Sequence, residues 1–362
     1  MLFFPQCMKV TTQRTQIPDR ADNMQAENII AQGESSQPVT RRQFCTDVVA
    51  TSVVATVGLP DSFVRASKAK PFVKWAGGKG QLISQLEALF PSDLATRDNL
   101  TYVEPFVGGG AMVFHMLDKY RNIRRVVIND FNSDLVCTYS VIRDSPDALI
   151  EVLSKFQTEY RECCSEEKRK EYYLQKREVY NKRNATSVET AALFIFLNRT
   201  CFNGLYRVNS KGLYNVPFGK AANPLICDEE TLRADSELLQ DVEIINGDFE
   251  GVYDHIKGKA FVYFDPPYRP LPKTPSFTAY SKDGFNDEQQ KRLAEFCRKL
   301  DKDGHQWLLS NSDPANTDPD DKFFDEIYSG FDIQRVSASR MINSKADGRG
   351  KITELAIRNY QG

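Results

Sequence analysis

The stretch Phe261-Val262-Tyr263-Phe264-Asp265-Pro266-Pro267-Tyr268 constrains the fold more than any other part of this chain. Four consecutive apolar residues that stop abruptly at Asp-Pro-Pro read as a buried strand ending in a rigid loop. Its last residues would sit at the carboxyl edge of a sheet, which is where open α/β sheets bind ligands. Proline fixes its own φ and offers no N–H, so Pro266 and Pro267 hold the loop extended and leave carbonyl oxygens as acceptors. An acid, free carbonyls and an aromatic face then converge, a set suited to a planar ring bearing an amino group. Taken alone, the same residues equally describe a strand capped by a Pro turn with Tyr268 in the core. The rest of the chain has to decide.

With 362 residues the chain is long enough for about two domains. A formal charge of −2 excludes a uniformly basic protein, so any contact with nucleic acid must come from a local patch. Cys163-Cys164 is the one adjacent cysteine pair, no C-x-x-C occurs, and the histidines are His115, His255 and His305. This pattern argues against a zinc site and against a disulfide framework, so no metal and reduced cytoplasmic thiols are expected.

Residues 1–69 differ in composition from the remainder of the chain. Their opening is rich in Gln, Asn, Ser and Thr without periodicity and reads as a disordered leader. Arg41-Arg42 before the small-residue and valine run to Leu59 has the look of a twin-arginine export signal, but Asp47 interrupts it and the preceding segment is long. A dispensable leader, or a start placed too early with Met24 as the internal alternative, is preferred, and the expected location is cytoplasmic. Nothing else approaches a membrane span.

From Pro71 the composition changes. Lys74-Trp75-Ala76-Gly77-Gly78-Lys79 precedes an apolar stretch, Leu82 to Phe90, that reads as a helix ending at Pro91. Lys79 beside a glycine turn suits an anionic or zwitterionic ligand, and a helix-capping glycine pair with a solvated lysine is the plainer alternative. Tyr102-Val103-Glu104-Pro105-Phe106 then leads into Gly108-Gly109-Gly110 and an apolar helix, and a second strand, Arg125 to Asn129, ends on Asp130. Strand, glycine loop, helix, strand and terminal acid in this order point to a nucleoside cofactor, with Asp130 placed for the ribose hydroxyls. Between Val136 and Asp241 the pattern is helical, and the mixed charges around Glu166 to Arg177 read as a solvated helix face. Within it, Asn198 to Asn209 and Asn215 to Gly219 predict an exposed hairpin. Such a hairpin can enter a major groove, where Arg reads guanine, or can simply display a solvated Arg. Val242 to Asn246 resumes the sheet and ends near Asp248 and Phe249, an acid and a ring placed for an adenine. Glu288 to Phe296 predicts an amphipathic helix, Trp307 to Ser312 a central strand, and Ile352 to Ile357 a closing edge strand. Arg335, Arg340, Lys345, Arg349 and Lys351 form a late cationic segment that is either a phosphate-contacting loop or a solvated turn.

These segments together resemble the DNA adenine-N6 methyltransferases of the Dam family, the D12 class, from about Lys70 to Tyr360. The matching stretches are KWAGGK (74–79), EPFVGGGA (104–111), INDFNSDL (128–135), NGLYRVN (203–209), NVPFG (215–219), GDFE (247–250), FDPPY (264–268) and FTAY (277–280). The resemblance implies an α/β fold, a Rossmann-like S-adenosylmethionine-dependent methyltransferase sheet with a mainly helical target-recognition insertion. It implies a catalytic domain from residues 70–138 and 242–362 and a DNA target-recognition domain at 139–241. It assigns catalysis to Asp265, Pro266, Pro267 and Tyr268. It assigns S-adenosyl-L-methionine to Trp75, Lys79, Phe106, Gly108, Gly109, Gly110, Asp130, Asp248, Phe249 and Asp265, and DNA contact to Lys74, Phe202, Asn203, Leu205, Arg207 and Pro217. Where the family often carries Tyr, this chain has Phe202, which keeps a stacking face and loses a phenolic hydrogen bond. The implied reaction is methylation of a flipped-out adenine within 5′-GATC-3′ in double-stranded DNA. The implied protein is a monomer with no membrane contact, acting alone or beside a restriction endonuclease that it does not bind. An amino-methyltransferase for cytosine N4 or RNA, and a non-catalytic DNA-binding module, are the alternatives.

Overall fold

The parallel strands that carry the predicted motifs lie side by side in one sheet. The computed structural model describes residues 69–75, 79–80, 82–269, 285–339 and 351–361, all within one of the chain's two compact units, Val64–Gly362. The expectations for the leader, for Gly77 and Gly78, for residues 277–280 and for Arg340, Lys345 and Arg349 lie outside the described residues.

After α1 (Ile83–Glu87) come β1 (Leu100–Glu104), α2 (Ala111–Lys119) and β2 (Ile123–Asp130). The helices α3 (Ser133–Asp144), α4 (Pro146–Glu162), α5 (Glu166–Asn181), α6 (Ser187–Thr200) and α7 (Glu229–Leu239) precede β3 (Val242–Asn246). The chain closes with β4 (Ala260–Phe264), α8 (Asp287–Lys302), β5 (Gln306–Ser312), α9 (Phe323–Ile327), β6 (Asp332–Ser339) and β7 (Lys351–Arg358). The seven described strands run in the order β3-β2-β1-β4-β5-β7-β6. The first five in that order are mutually parallel, and β7 is antiparallel to both β5 and β6. This is a Rossmann-like sheet. Its strand order reverses between β1 and β4, the switch point at which such sheets open a crevice beyond their carboxyl ends.

Both central strands are buried at every position, and β4 reads as a continuous apolar run rather than an alternating one. Alternate residues feed two cores: Tyr102, Phe261 and Tyr263 point into one, Val103, Val262 and Phe264 into the other, where α8 and α9 pack. α8 begins at the cap Asn286, whose side chain accepts from the Gln289 amide at 3.0 Å. Asp287 and Glu288 in its first turn and Lys299 and Lys302 in its last complement the helix dipole.

The segment between β2 and β3 is mainly helical. α6 carries a Thr186–Glu189 capping box and is apolar on nearly every side, which suits a helix surrounded by others. It packs against α3, α4 and α5. On α5 the charges are solvated, while Tyr173 and Tyr180 turn inward.

Three expectations are revised. The apolar stretch from Leu82 is helical only to Glu87, because i→i+3 turns from Leu86 and Glu87 to Leu89 and Phe90 tighten it before Pro91. The predicted edge strand, β7, is interior, and β6 forms the edge instead. Arg335 on β6 is held by Asp313 at 3.2 Å and by Asp325, so it belongs to an ion-pair cluster rather than to a free cationic loop. Among the described residues no helix is long and apolar enough to cross a membrane.

Candidate active site and nucleic-acid interface

Beyond Phe264, Asp265 leaves the sheet at the switch point. Its Oδ1 lies 2.9 Å from Lys79 Nζ and 3.4 Å from Ser310 Oγ on β5. Lys79 is only 4% exposed, so the solvated-lysine alternative falls. Its ammonium also hydrogen-bonds the Tyr268 hydroxyl and stands 4.2 Å from that ring's centroid. Burial raises the Asp265 carboxyl above its usual range, and the Lys79 charge opposes that rise. Tyr268 is pushed well above 10 by burial and by the Asp265 and Glu354 carboxylates, and so remains a phenol. Beneath them Glu104, at the end of β1, is 2% exposed. Burial raises its carboxyl far above the carboxylate range, although the Tyr102 hydroxyl donates to it at 3.1 Å.

The loop is held from below. Gln290 on α8 is fully buried and donates to the Pro267 carbonyl at 3.0 Å, while Asn311 donates to the Gln290 amide oxygen at 3.1 Å. Arg269 fastens the loop's far end, with a fork onto Asp287 at 2.8 and 3.0 Å and a bond to Asp321 at 2.6 Å.

Across the switch point lies the glycine loop. Gly108 and Gly110 adopt φ of +51° and +82°. A Cβ on Gly108 would meet the Trp75 indole at 2.9 Å, and one on Gly110 would meet the Tyr139 hydroxyl at 2.5 Å, so only glycine lets this backbone lie so close to its neighbours. Gly109 packs against Trp75 in the same way. Asp130 accepts from the Gly108 amide at 3.0 Å and the Asn132 amide at 2.9 Å. The Phe131 amide adds to these, and a carboxylate with about four acceptor positions still has room for a further donor. Phe106 and Phe249 pack at 5.4 Å and share Phe285. Phe249 is buried, and the Arg292 guanidinium covers it at 4.6 Å. Asp248 is engaged by the same Arg292; burial pushes its carboxyl up, but the Arg292 hydrogen bonds and charge together with the Glu250 amide bring it below its ordinary value.

The predicted hairpin is present as two short bridges, Cys201 with Phe218 and Val208 with Tyr214. Phe202 donates from its amide to the Pro217 carbonyl at 2.9 Å, and Asn203 takes a left-handed φ of 55°. Phe202, half exposed, shares the surface with Lys74, Asn203, Arg207 and Pro217, while Leu205 is half-buried. Arg207 is oriented by a bond to Asn215 Oδ1 at 2.8 Å. Asn198, buried at the end of α6, joins this hairpin to the Lys74 segment. It accepts from the Lys74 amide at 2.8 Å and donates to the Lys74 and Gly204 carbonyls at 2.7 and 2.9 Å. Trp75 in turn stacks on Tyr206 at 5.8 Å.

The predicted residues therefore fall into four groups: Lys79 with Asp265 and Tyr268, Trp75 with the glycine loop and Asp130, Phe106 with Phe249 and the neighbouring Asp248, and Lys74 with the hairpin. Sequence reasoning missed Glu354, Gln290, Asn311 and Asn198. For Glu354 a signal existed, a lone carboxylate inside the otherwise strand-like run from Ile352 to Ile357.

Comparison with known proteins places the chain in a family. Residues 75–342 match the family described as D12 class N6 adenine-specific DNA methyltransferase. The type II methyltransferase M.MjaIII of Methanocaldococcus jannaschii is 51% identical over 294 residues, covering 80% of this chain and 99% of the relative. M1.LlaDCHI of Lactococcus lactis subsp. cremoris is 39% identical over 296 residues, 80% of this chain and 95% of the relative. The DNA adenine methylase of Escherichia coli K12 is 32% identical over 288 residues, with 80% and 94% covered.

Proposed function

Because this chain belongs to the D12 class of N6 adenine-specific DNA methyltransferases, we propose that it methylates the adenine of 5′-GATC-3′, flipped out of duplex DNA, with S-adenosylmethionine as donor. The observation that carries this reading is the cluster of Asp265, Lys79 and Tyr268 directly across the sheet's switch point from the Gly108–Gly110 loop. Residues 70–138 and 242–362 then serve as the catalytic domain and 139–241 as the target-recognition domain.

The residues at the glycine loop suit the donor. Two left-handed glycines bring backbone to the crevice, the Asp130 oxygens retain acceptor capacity for ribose hydroxyls, and Phe106 offers a partly exposed ring. S-adenosylmethionine supplies an electrophilic methyl group on a sulfonium. Trp75, Lys79, Gly109, Asp248 and Phe249 complete the proposed cofactor set, with Asp265 shared between donor and target.

Adenine's exocyclic nitrogen is a poor nucleophile because its lone pair is delocalised into the ring. Acceptance of its two hydrogens by Asp265 and the Pro266 carbonyl lets the nitrogen rehybridise and present that lone pair. Gln290 on the Pro267 carbonyl and Arg269 beyond it hold the acceptors still, so positioning and fixed electrostatics carry the catalysis. Tyr268 provides the stacking face for a base that is inaccessible while stacked in a duplex. Lys74, Phe202, Asn203, Leu205, Arg207 and Pro217 form the proposed DNA surface, with Arg207 reading guanine in the major groove.

The test is methyl transfer by purified protein to duplexes carrying GATC or single-base variants, with the product identified by nucleoside digestion. N6-methyladenine confined to GATC is expected, as is a folded Asp265→Ala variant without transfer. Equal labelling of all duplexes overturns the specificity, and full turnover by Asp265→Ala overturns the catalytic assignment.

A further inference from the structure

We infer that Glu354, on β7, is a positioning residue for methyl transfer that holds the Tyr268 ring and shares the Lys79 ammonium with Asp265. The inference rests on the reading of Asp265 to Tyr268 as the reacting site. Because β7 runs antiparallel to β5, its first residues lie at the carboxyl edge of the parallel strands. There Glu354 pairs with Ser312 on one side and Val336 on the other. Its Oε2 accepts the Tyr268 hydroxyl hydrogen at 2.5 Å and stands 3.6 Å from Lys79 Nζ.

This geometry acts on the site in two ways. The Tyr268 hydroxyl accepts from Lys79 and donates to Glu354, so the ring is tethered at its para position from two elements, and the face offered to a base is fixed. Lys79 is also drawn toward two carboxylates at once, 2.9 Å from Asp265 and 3.6 Å from Glu354. Without Glu354 the ammonium would be drawn more strongly toward Asp265, and that carboxylate would be less available to an incoming amino group. Both effects act on the chemical step. The proposed DNA surface is on other elements, so capture of the duplex should be spared.

Single-turnover methyl transfer to a GATC duplex, at saturating S-adenosylmethionine, decides the matter with Glu354→Ala, Glu354→Gln, Tyr268→Phe and the Tyr268→Phe/Glu354→Ala pair. Cofactor binding and thermal unfolding serve as checks on folding. Glu354→Ala is expected to slow transfer by about 10- to 100-fold, the scale of a misplaced reacting group, with KM for DNA little changed. On the Tyr268→Phe background the same change should add much less. Glu354→Gln, which keeps the shape and an acceptor oxygen, should recover most of the rate. It should also move the acidic limb of the pH–rate profile downward, because one of the negative charges facing Asp265 is gone. Among the described residues, the titratable groups facing Asp265 are Lys79, Glu354, Glu104, Tyr263 and Tyr268. A wild-type transfer constant in Glu354→Ala, an undiminished loss on the Tyr268→Phe background, or an unmoved profile in Glu354→Gln overturns the inference. The glutamine profile decides it even if the alanine variant does not fold. With Asp265→Ala inactive, any of these results removes Glu354 alone. With Asp265→Ala fully active, the site reading falls and Glu354 falls with it.

Discussion

Asp265 and Lys79 form a pair whose charge balance sets when the site works. Burial favours the protonated carboxyl, and Lys79 at 2.9 Å favours the carboxylate, the form that the proposed reaction requires as acceptor. Lys79→Met keeps most of the side chain's bulk and removes the charge. The Asp265 pKa then rises, activity that depends on the carboxylate is reached only at higher pH, and the acidic limb of the single-turnover profile moves upward. Glu354→Gln should move the same limb the other way, and an unmoved limb in Lys79→Met would show that Asp265 does not titrate in the active range. Asp265, Tyr268 and Lys79 were legible because each stands in a short motif whose chain neighbours already imply its chemistry. Glu354 was not, because it meets Tyr268 from 86 residues away, and only the strand order brings it there.

Elements show the same division between local and long-range information. β1, β2, β3, β4 and β5 announce themselves by apolar runs because helices cover both faces of the sheet. β6 has a half-exposed surface with Asp332, Gln334 and Arg335, so its pattern is diluted, and the apolar β7 looked like the end of the sheet. The hairpin's turn residues were readable, but its anchor was not. Asn198 satisfies the Lys74 amide, the Lys74 carbonyl and the Gly204 carbonyl with one buried amide, and a Cβ on Gly204 would meet Lys74 Cβ at 2.6 Å. Helix α6 thus holds Lys74 against the hairpin turn that carries Phe202 and Asn203. Asn198→Ala leaves these groups without partners at a cost of about 1–3 kcal/mol for each one that stays buried. The expected outcome is a lowered melting temperature and, in the folded fraction, a raised KM for DNA with cofactor affinity little changed. Unchanged DNA binding would mean that Lys74 and the hairpin act independently.

Over the whole molecule, Lys70, Phe72, Trp75 and Lys79 tie the helical insertion to the sheet. Lys70 is pinned to α7 through its amide, which donates to Asp235 at 3.0 Å, and through its ammonium, 3.3 Å from Asp228. Arg199 on α6 donates to the Phe72 carbonyl at 2.7 Å, Trp75 lies between the glycine loop and Tyr206, and Lys79 reaches Asp265. One short segment therefore touches the hairpin turn that carries Phe202 and Asn203, the glycine loop and Asp265, and its attachment at Asp235 should govern how firmly they are held together. Burial pushes the Asp235 carboxyl from 3.8 up to about 8, with the Lys70 amide and the Lys70 and Arg199 charges opposing the rise and Asp228 adding to it. In the folded protein Asp235 keeps a proton that the unfolded chain releases near its ordinary value. Its contribution to stability is thus complete at acid pH and is lost as pH climbs through about 8. Asp235→Asn mimics the protonated carboxyl and removes that slope. Urea unfolding should show wild type losing stability relative to Asp235→Asn between about pH 5 and pH 8, by at least the ~1.4 kcal/mol that one pKa unit represents. Parallel stability curves for the two proteins would place Asp235 as a carboxylate in the fold and leave the segment held by Asp228 and Arg199 instead.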